Sequence, residues 1–407
     1  MKILIVSQLY YPERISVSDI AEGLLKEGHD VTVLTGRPNY GYGHILKEYR
    51  HVKYEVINGV KVHRVKLFAR KKSHLSVSLN YLSFHKNAKR KVRKLKEHFD
   101  VVLSISLSPV ISISPAIKYA KKHHVKHILY CEDLWPESTV VTGAVRKGSL
   151  IYKILYKWSV SLYKKCDEII ISSPSFKDYF ENELGIKDKK FKHINQPILE
   201  SKNKEIDPIV YKKKHNLVYA GNLGELQNID LIIDAMKLVK SKDVKLYLMG
   251  MGQKLEHIKV RIKNEHLEDK VEYSGAFPIE KAERYFVNAD ALVVSLKNSG
   301  TVGKTIPNKA IQYMKYGRPI LGVISGDGKE LLEKAKGTVF AGENASEIAA
   351  KIDEICNKKS SELEALGSNN KSYFEDNLRS DKLVHEFASE LSESIKWAIA
   401  NPWTLTP

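Results

Sequence analysis

SGTVGKTIPNKAIQYMKYGRPI, residues 299–320, decides how the chain is read. An apolar run at 291–296 precedes it and a second at 319–323 follows it, so it reads as strand, loop, helix and strand in succession. Pro307 stands where the first turn of a helix tolerates a missing N–H, and Gly317 is placed to close that helix in a left-handed conformation. The free N–H groups and positive dipole end of such a helix face back onto the loop of Ser299, Gly300, Thr301, Gly303, Lys304 and Thr305. Lys304 and Lys309 add full charges, so the natural ligand is a phosphate or diphosphate. The same residues also describe a solvated loop with ordinary surface lysines.

A chain of 407 residues is too long for one compact core, and two domains are expected, with a hinge near Gln196. The formal charge of +18 points to anionic partners: nucleic acid, anionic lipid headgroups or phosphorylated small molecules. Nucleic acid rests on charge alone, without stacking aromatics in a recognisable module, and is not expected as a partner. Cys131, Cys166 and Cys356 are far apart, which suggests neither a disulfide framework nor a zinc site and suits a reducing cytosol. MKILIVSQ reads as a first strand rather than a secretory signal. No stretch approaches the ~18 uninterrupted apolar residues of a membrane span; the nearest, 101–117, is broken by serines and by Pro109 and Pro115.

The first half alternates strand and helix: a strand at 2–6, a helix at 16–27 closed by Gly28, and a strand at 31–34. The loop after the first strand holds Tyr10, Tyr11, Glu13 and Arg14 at a carboxyl end, where open α/β sheets place ligands. Asn58-Gly59 marks a tight hairpin. Lys86, Lys89, Arg90, Lys91, Arg93, Lys94 and Lys96 interleave with Phe84, Val92, Leu95 and Phe99, the pattern of a helix on an acidic surface or of an ordinary solvated helix. A short strand at 128–130 delivers Cys131-Glu132-Asp133-Leu134-Trp135-Pro136-Glu137, carboxylates beside a tryptophan that suit sugar hydroxyls and their protons. Leu150, Ile151, Ile154, Leu155, Trp158 and Leu162 recur at helical spacing among lysines, a second basic amphipathic helix. His123, His124 and His127 read as surface residues, and the strand at 167–172 as the last clear one of this half.

The second half restarts the alternation at 216–220, turns through Gly221-Asn222-Leu223-Gly224, and repeats the device at Gly250-Met251-Gly252. Glycine turns let backbone N–H groups approach a diphosphate closely. Leu383, Phe387, Leu391 and Ile395 give the tail a helical spacing suited to packing back across the domains.

The order of GLLKEGHDVTVLTG, CEDLWPES, YAGNLGELQNIDLIIDAM, LYLMGMGQ, SGAFP and TIPNKAIQYMKYGRPIL resembles glycosyltransferase family 4 over nearly the whole chain. DLWPES and PNK with YMKYGRPI look most like bacterial members that build capsule, exopolysaccharide or O-antigen repeats, including N-acetylfucosamine transferases. The resemblance implies an α/β chain of GT-B architecture: an acceptor-binding, membrane-associating domain at 1–196, a nucleotide-sugar domain at 197–377 and a helical tail at 378–407. It also implies transfer from a UDP-sugar to a polyprenyl-diphosphate-linked saccharide with anomeric retention, no obligatory metal or other cofactor, and a place on the inner face of the cytoplasmic membrane. Phe277 and Pro278 resemble the nucleobase-contacting turn, and Ser299, Gly300 and Thr301 the diphosphate loop. The expected donor set adds Gly221, Asn222, Leu223, Gly224, Gly250, Lys304, Thr305, Pro307, Lys309 and Gln312. Asp133, Glu132 and Lys309 are the expected catalytic residues, with Tyr11, Arg14, Trp135 and Glu137 on the acceptor side.

The sequence departs from the family where two glutamates usually stand, at Lys304 and Gln312. The usual arginine and lysine of the first glycine turn are Asn222 and Gln227, and Glu225 brings a negative charge there. Either charge has been relocated or donor binding is weak or lost. A soluble acceptor and a noncatalytic partner of a polysaccharide assembly complex are the alternatives.

Overall fold

The computed structural model describes residues 1–13, 15–71, 73–198, 205–276 and 278–400, so the expected site residues Arg14 and Phe277 lie outside the described residues. The chain divides into two compact units, Met1–Leu199 with Ser380–Pro407, and Glu200–Arg379. The architecture is α/β in both.

The first unit is built on β1 (Lys2–Val6), β2 (Asp30–Gly36), β3 (Tyr54–Ile57), β4 (Val60–Val65), β5 (Val101–Ser106), β6 (Lys126–Cys131), β7 (Glu168–Ile171) and β8 (Lys190–His193). These form one sheet in the order β3-β4-β2-β1-β5-β6-β7-β8, with β3 antiparallel to β4 through the Asn58-Gly59 turn and the other pairs parallel. Both turn residues have positive φ, 49° and 86°, which an Asn-Gly pair tolerates. Alternate residues of β1 feed opposite faces: Ile3 and Ile5 join one core, Leu4 and Val6 another. β8 extends the sheet beyond the strand expected to be last; its exposed–half-buried alternation hides it from a reading by hydrophobic runs. His127 is buried in β6 beside Ser104, not on the surface, because the strand begins two residues earlier than its apolar run suggests. Helix Ser380–Ala400 buries Leu383, Val384, Phe387 and Leu391 in the same core as Ile20 and Leu24 of helix Ser16–Lys26.

Among its described residues the second unit has six strands, β9 (His215–Ala220), β10 (Val244–Met249), β11 (Val271–Gly275), β12 (Ala291–Ser295), β13 (Ile320–Val323) and β14 (Thr338–Phe340). All neighbours are parallel, in the order β11-β10-β9-β12-β13-β14. Counted within the unit this is the doubly wound order whose direction reverses between β9 and β12, and ligands of such sheets sit at carboxyl ends flanking that reversal. The first sheet reverses in the same way between β1 and β5.

Candidate functional site

In the second unit, the loops at the strand carboxyl ends are stitched into one rim by backbone hydrogen bonds. The Gly250 N–H donates to the Gly275 carbonyl at 2.9 Å, Gly221 to Met249 at 3.0 Å, Leu223 to Met251 at 2.8 Å and Lys297 to Leu226 at 2.8 Å. Gly250 has φ +130°, and a Cβ there would fall 1.8 Å from the Gly221 carbonyl oxygen, so only glycine permits this approach. The Gln227 side chain accepts from Gly224 N–H at 3.2 Å. The N–H groups of Gly221, Leu223 and Gly224 are therefore engaged within the protein, and the turn offers close approach rather than the row of free donors expected of it.

Helix Asn308–Met314 begins after Pro307, which is the N-cap residue and not part of the first turn. At seven residues it is a shorter dipole than the sequence suggested, so the positive charge of the site rests on lysines. Tyr313 fixes the helix to the end of β9: its hydroxyl accepts from Ala220 N–H at 2.8 Å and donates to the Ala220 carbonyl at 3.0 Å. One turn earlier, Lys309 donates to the Tyr219 hydroxyl at 2.5 Å, and its Nζ sits 4.0 Å from the Tyr219 ring centroid. A Cβ on Gly221 would lie 3.4 Å from that Nζ, so the ammonium reaches the bare backbone of the glycine turn. Burial pushes Lys309 down to about 7. Among the described residues no carboxylate pairs with it.

Glu225, which seemed to oppose an anion, is neutralised. Lys254 lies 2.9 Å and Lys297 3.4 Å from its carboxylate, and the hydrogen bond from Lys254 above all holds it below the usual carboxylate range. Lys304 is exposed, without a carboxylate partner among the described residues, and packs with Thr305 against Gly326 and Gly328 of helix Gly326–Ala335. Ser299 accepts from Gly303 N–H at 3.0 Å, which closes the loop through Gly300 and Thr301. Gln312 bonds Tyr316, whose hydroxyl donates to the buried Glu283 at 2.9 Å. Pro278 is exposed and caps helix Ile279–Phe286. Tyr219, Lys254 and Lys297 are contributors that sequence reasoning missed: a strand residue and two ordinary lysines carry no motif.

In the first unit, Glu132 and Asp133 follow β6. Glu132 accepts from Ser16 and Gln196, yet burial dominates and raises it to about 7, with the charge of Asp133 adding to the rise. Burial likewise raises Asp133 to about 7 against hydrogen bonds from Ser138, Leu134 N–H and Ser108. Two neighbouring carboxyls are thus poised near neutrality. The rest of the segment is structural. Trp135 is 8% exposed and packs with Val110, Ile113 and Leu162, so it is core and not a stacking platform. Glu137 accepts from the Tyr152 hydroxyl at 2.5 Å and pairs with Lys147 at 3.5 Å, so both its oxygens are engaged within the protein. Tyr11 is half-buried, with its carbonyl accepting from Arg64.

Beside Asp133, at the β1/β5 reversal, lies a polar pocket lined in part by Ser7, Gln8, Asn39, Arg70, Asn80, Tyr81 and Ser108. Gln8 donates to Asn80 at 2.6 Å, and Asn80 to Asn39 at 3.0 Å. None of this ladder was legible in sequence, because its members are tens of residues apart and meet only through the sheet. Among the described residues no group of three His, Cys, Asp or Glu could hold a metal ion.

Two helices beside this pocket carry unpaired apolar stripes. Helix His74–Lys94 buries Phe84, Ala88 and Val92 while exposing Leu75, Leu79 and Leu82, then Lys86, Arg90 and Arg93 along the same side, with Lys89 half-buried beside them. Helix Leu150–Tyr163 buries Tyr152, Ser159 and Leu162 and exposes Leu150, Ile151, Ile154 and Trp158. Both pack against the turn Val110–Ile113. No helix among the described residues is long and apolar enough to cross a membrane.

Comparison with known proteins agrees with this architecture. The profile described as Glycosyltransferase Family 4 matches residues 14–198, and that described as Glycosyl transferases group 1 matches 214–358. The chain is 25% identical over 309 residues to a probable glycosyltransferase, WbjE, of Pseudomonas aeruginosa, covering 71% of this chain and 74% of that protein. It is 20% identical over 273 residues to WcaI of Escherichia coli K12, a putative colanic acid biosynthesis glycosyl transferase, covering 62% and 66%. Among solved structures, sucrose-phosphate synthase of Thermosynechococcus elongatus superposes with TM-score 0.74 at 15% identity over 97% of this chain and 98% of that one. HepE of Anabaena, solved with UDP-glucose, gives 0.68 at 13% over 97% and 100%. The chain thus carries a region matching Glycosyltransferase Family 4 at 14–198 and one matching Glycosyl transferases group 1 at 214–358, on a fold shared with GT-B glycosyltransferases.

Proposed function

We propose that the protein moves a sugar from a UDP-sugar, bound at the β9/β12 reversal, to a polyprenyl-diphosphate-linked saccharide bound at the first unit. The observation that carries this reading is Lys309, an ammonium enclosed against Tyr219, without a carboxylate partner among the described residues, at the rim of the glycine turn. Such a cation is costly until an anion arrives. Negative charge grows on the diphosphate as the glycosidic bond breaks, and Lys309, poised near neutrality, supplies a charge or a proton where that charge develops. Lys304 and the backbone of Ser299, Gly300 and Thr301 complete the diphosphate end, Pro278 and Gly250 the nucleoside end, and Gln312 a sugar hydroxyl. Lysines take the place of a metal ion, and attack of the acceptor hydroxyl on the same face of the sugar that UDP leaves gives retention. Asp133, with Glu132 behind it, receives the acceptor hydroxyl's proton.

The apolar stripes of helices His74–Lys94 and Leu150–Tyr163, mixed with lysine and arginine, suit the anionic inner face of the cytoplasmic membrane and favour a lipid-linked over a soluble acceptor. The pairing of Glu225 with Lys254 and Lys297 weakens one of the two grounds for a noncatalytic role, the other being Lys304 and Gln312 in place of glutamates. A relative named for colanic acid biosynthesis supports a place in bacterial surface polysaccharide synthesis; N-acetylfucosamine or a similar N-acetylated sugar as donor rests on the resemblance of the DLWPES and PNK segments alone. Calorimetric titration with UDP, GDP and a panel of UDP-sugars in chelator tests this: UDP and one UDP-sugar bind, whereas silence toward every nucleotide refutes it.

A further inference from the structure

We infer that the mouth of the polar pocket of the first unit, at Arg70, is an anion subsite for the phosphate groups that join the acceptor's sugar to its lipid; the enclosed space behind it, about 10 Å³, has room for little more than a water. The inference rests on the reading of the acceptor as lipid-linked. Arg70 lines the pocket with its guanidinium 5.1 Å from the Tyr40 ring centroid and 5.4 Å from that of Tyr81. The two rings fix the planar cation without neutralising it, and among the described residues no carboxylate pairs with it. Its backbone N–H donates to Asn39 Oδ1 at 2.9 Å, which ties Arg70 to the amide ladder of Asn39, Asn80 and Gln8. A guanidinium so held presents a fork that matches phosphate oxygens.

A second observation points into the same pocket. Ser7 lines the pocket, and its buried Oγ has no hydrogen-bond partner among the described residues. A buried hydroxyl without a partner is costly and calls for a water or a ligand oxygen. Position fixes the nature of the ligand. Asn80 and Tyr81 lie on helix His74–Lys94, whose exposed side carries Leu79 and Leu82 immediately beside them. Tyr81 also feels the charge of Asp133. The pocket thus stands between an apolar, lipid-suited stripe and the carboxylate proposed to meet the acceptor hydroxyl. A group joined to lipid on one side and sugar on the other is a phosphodiester or diphosphate.

The test is binding of farnesyl diphosphate below its micelle concentration, by calorimetry, to the full chain and to Arg70→Gln, Arg70→Lys and Lys309→Met. Farnesyl diphosphate should bind the parent chain, be displaced by inorganic pyrophosphate and not by farnesol, and weaken about ten- to a hundredfold in Arg70→Gln. Arg70→Lys should recover part of that loss. Lys309→Met should leave it unchanged, and UDP should show the converse dependence. Equal binding to Arg70→Gln and the parent chain overturns the subsite. So does loss on charge reversal of Lys86 and Arg90 instead, which marks plain adsorption to the basic helix. Displacement by UDP overturns it as well, since the probe is then in the donor site. Absence of UDP binding with the Arg70 dependence intact would refute the donor reading while sustaining the subsite.

Discussion

Replacing Lys309 by methionine should separate ligand binding from stability. Burial lowers the ammonium from 10.5 to about 7, a penalty on its charged form of roughly 5 kcal/mol. The folded state binds its proton less readily than the unfolded chain, so this penalty is fully present below about pH 7 and fades as pH rises toward the unfolded value. Methionine keeps the aliphatic stem and deletes the charge, so the melting temperature at pH 7 should stay the same or rise. UDP affinity should fall about 10- to 150-fold, the loss of one charge-assisted hydrogen bond. In the parent chain, binding must recharge the lysine. Above pH 7, affinity should fall about tenfold per unit, and titrations at pH 8 in buffers of different ionisation enthalpy should show uptake approaching one proton. The window from pH 7 to 9 avoids protonation of the terminal phosphate, which titrates near 6. Lys309→Met should abolish both the uptake and the slope. A variant that binds UDP as tightly as the parent chain, or that loses several degrees of stability, would show that Lys309 serves the Tyr219 contact and not a ligand.

Other perturbations follow from the same geometry. Asp133→Asn should lower turnover by about 10²–10⁴ with UDP affinity intact, as removal of a general base does. Because burial raises Asp133 and Glu132 to about 7, turnover of the parent chain at saturating UDP-sugar should climb with pH through that value, while kcat/KM for the UDP-sugar should peak near it as Lys309 loses its proton. Stability should decline from about pH 4 to about pH 7, where the folded chain still holds protons that the unfolded chain has lost, and level off above; the Asn variant should melt higher at pH 8. Gly250→Ala should cost at least about 2 kcal/mol in denaturant unfolding and weaken UDP binding, because its Cβ would fall 1.8 Å from the Gly221 oxygen. Ile151→Ser and Ile154→Ser should each weaken binding to acidic liposomes about tenfold in a flotation assay, with little change in melting temperature, since both are exposed.

The strands of both sheets that carry continuous apolar runs were legible in the sequence, as were the Asn58-Gly59 hairpin and the segment around Lys309. Local period and turn chemistry suffice for these. The amphipathic helices were legible in outline, but which apolar residues face outward was not. Leu162 and Ile154 look alike in sequence, and only packing sends the first inward and the second outward. Trp135 and Glu137 misled for the opposite reason: their types suit sugar binding, yet the turn after β6 folds both into the protein. β8 was missed because three of its four residues, Lys190, Lys192 and His193, are polar, as its edge position permits. Arg70, Tyr81 and Ser7 could not be found at all, since parallel crossover connections bring together residues that no spacing rule links.

Transfer itself tests the central claim most directly. The purified chain would be incubated in chelator with UDP-, GDP- and dTDP-sugars and polyprenyl-diphosphate-linked saccharides, and the lipid products weighed by mass spectrometry. The account predicts a single added sugar from one UDP-sugar, with retained anomeric configuration, lost in Lys309→Met and Asp133→Asn. Transfer that requires added divalent metal, inverts the anomeric centre or persists in both variants would contradict it.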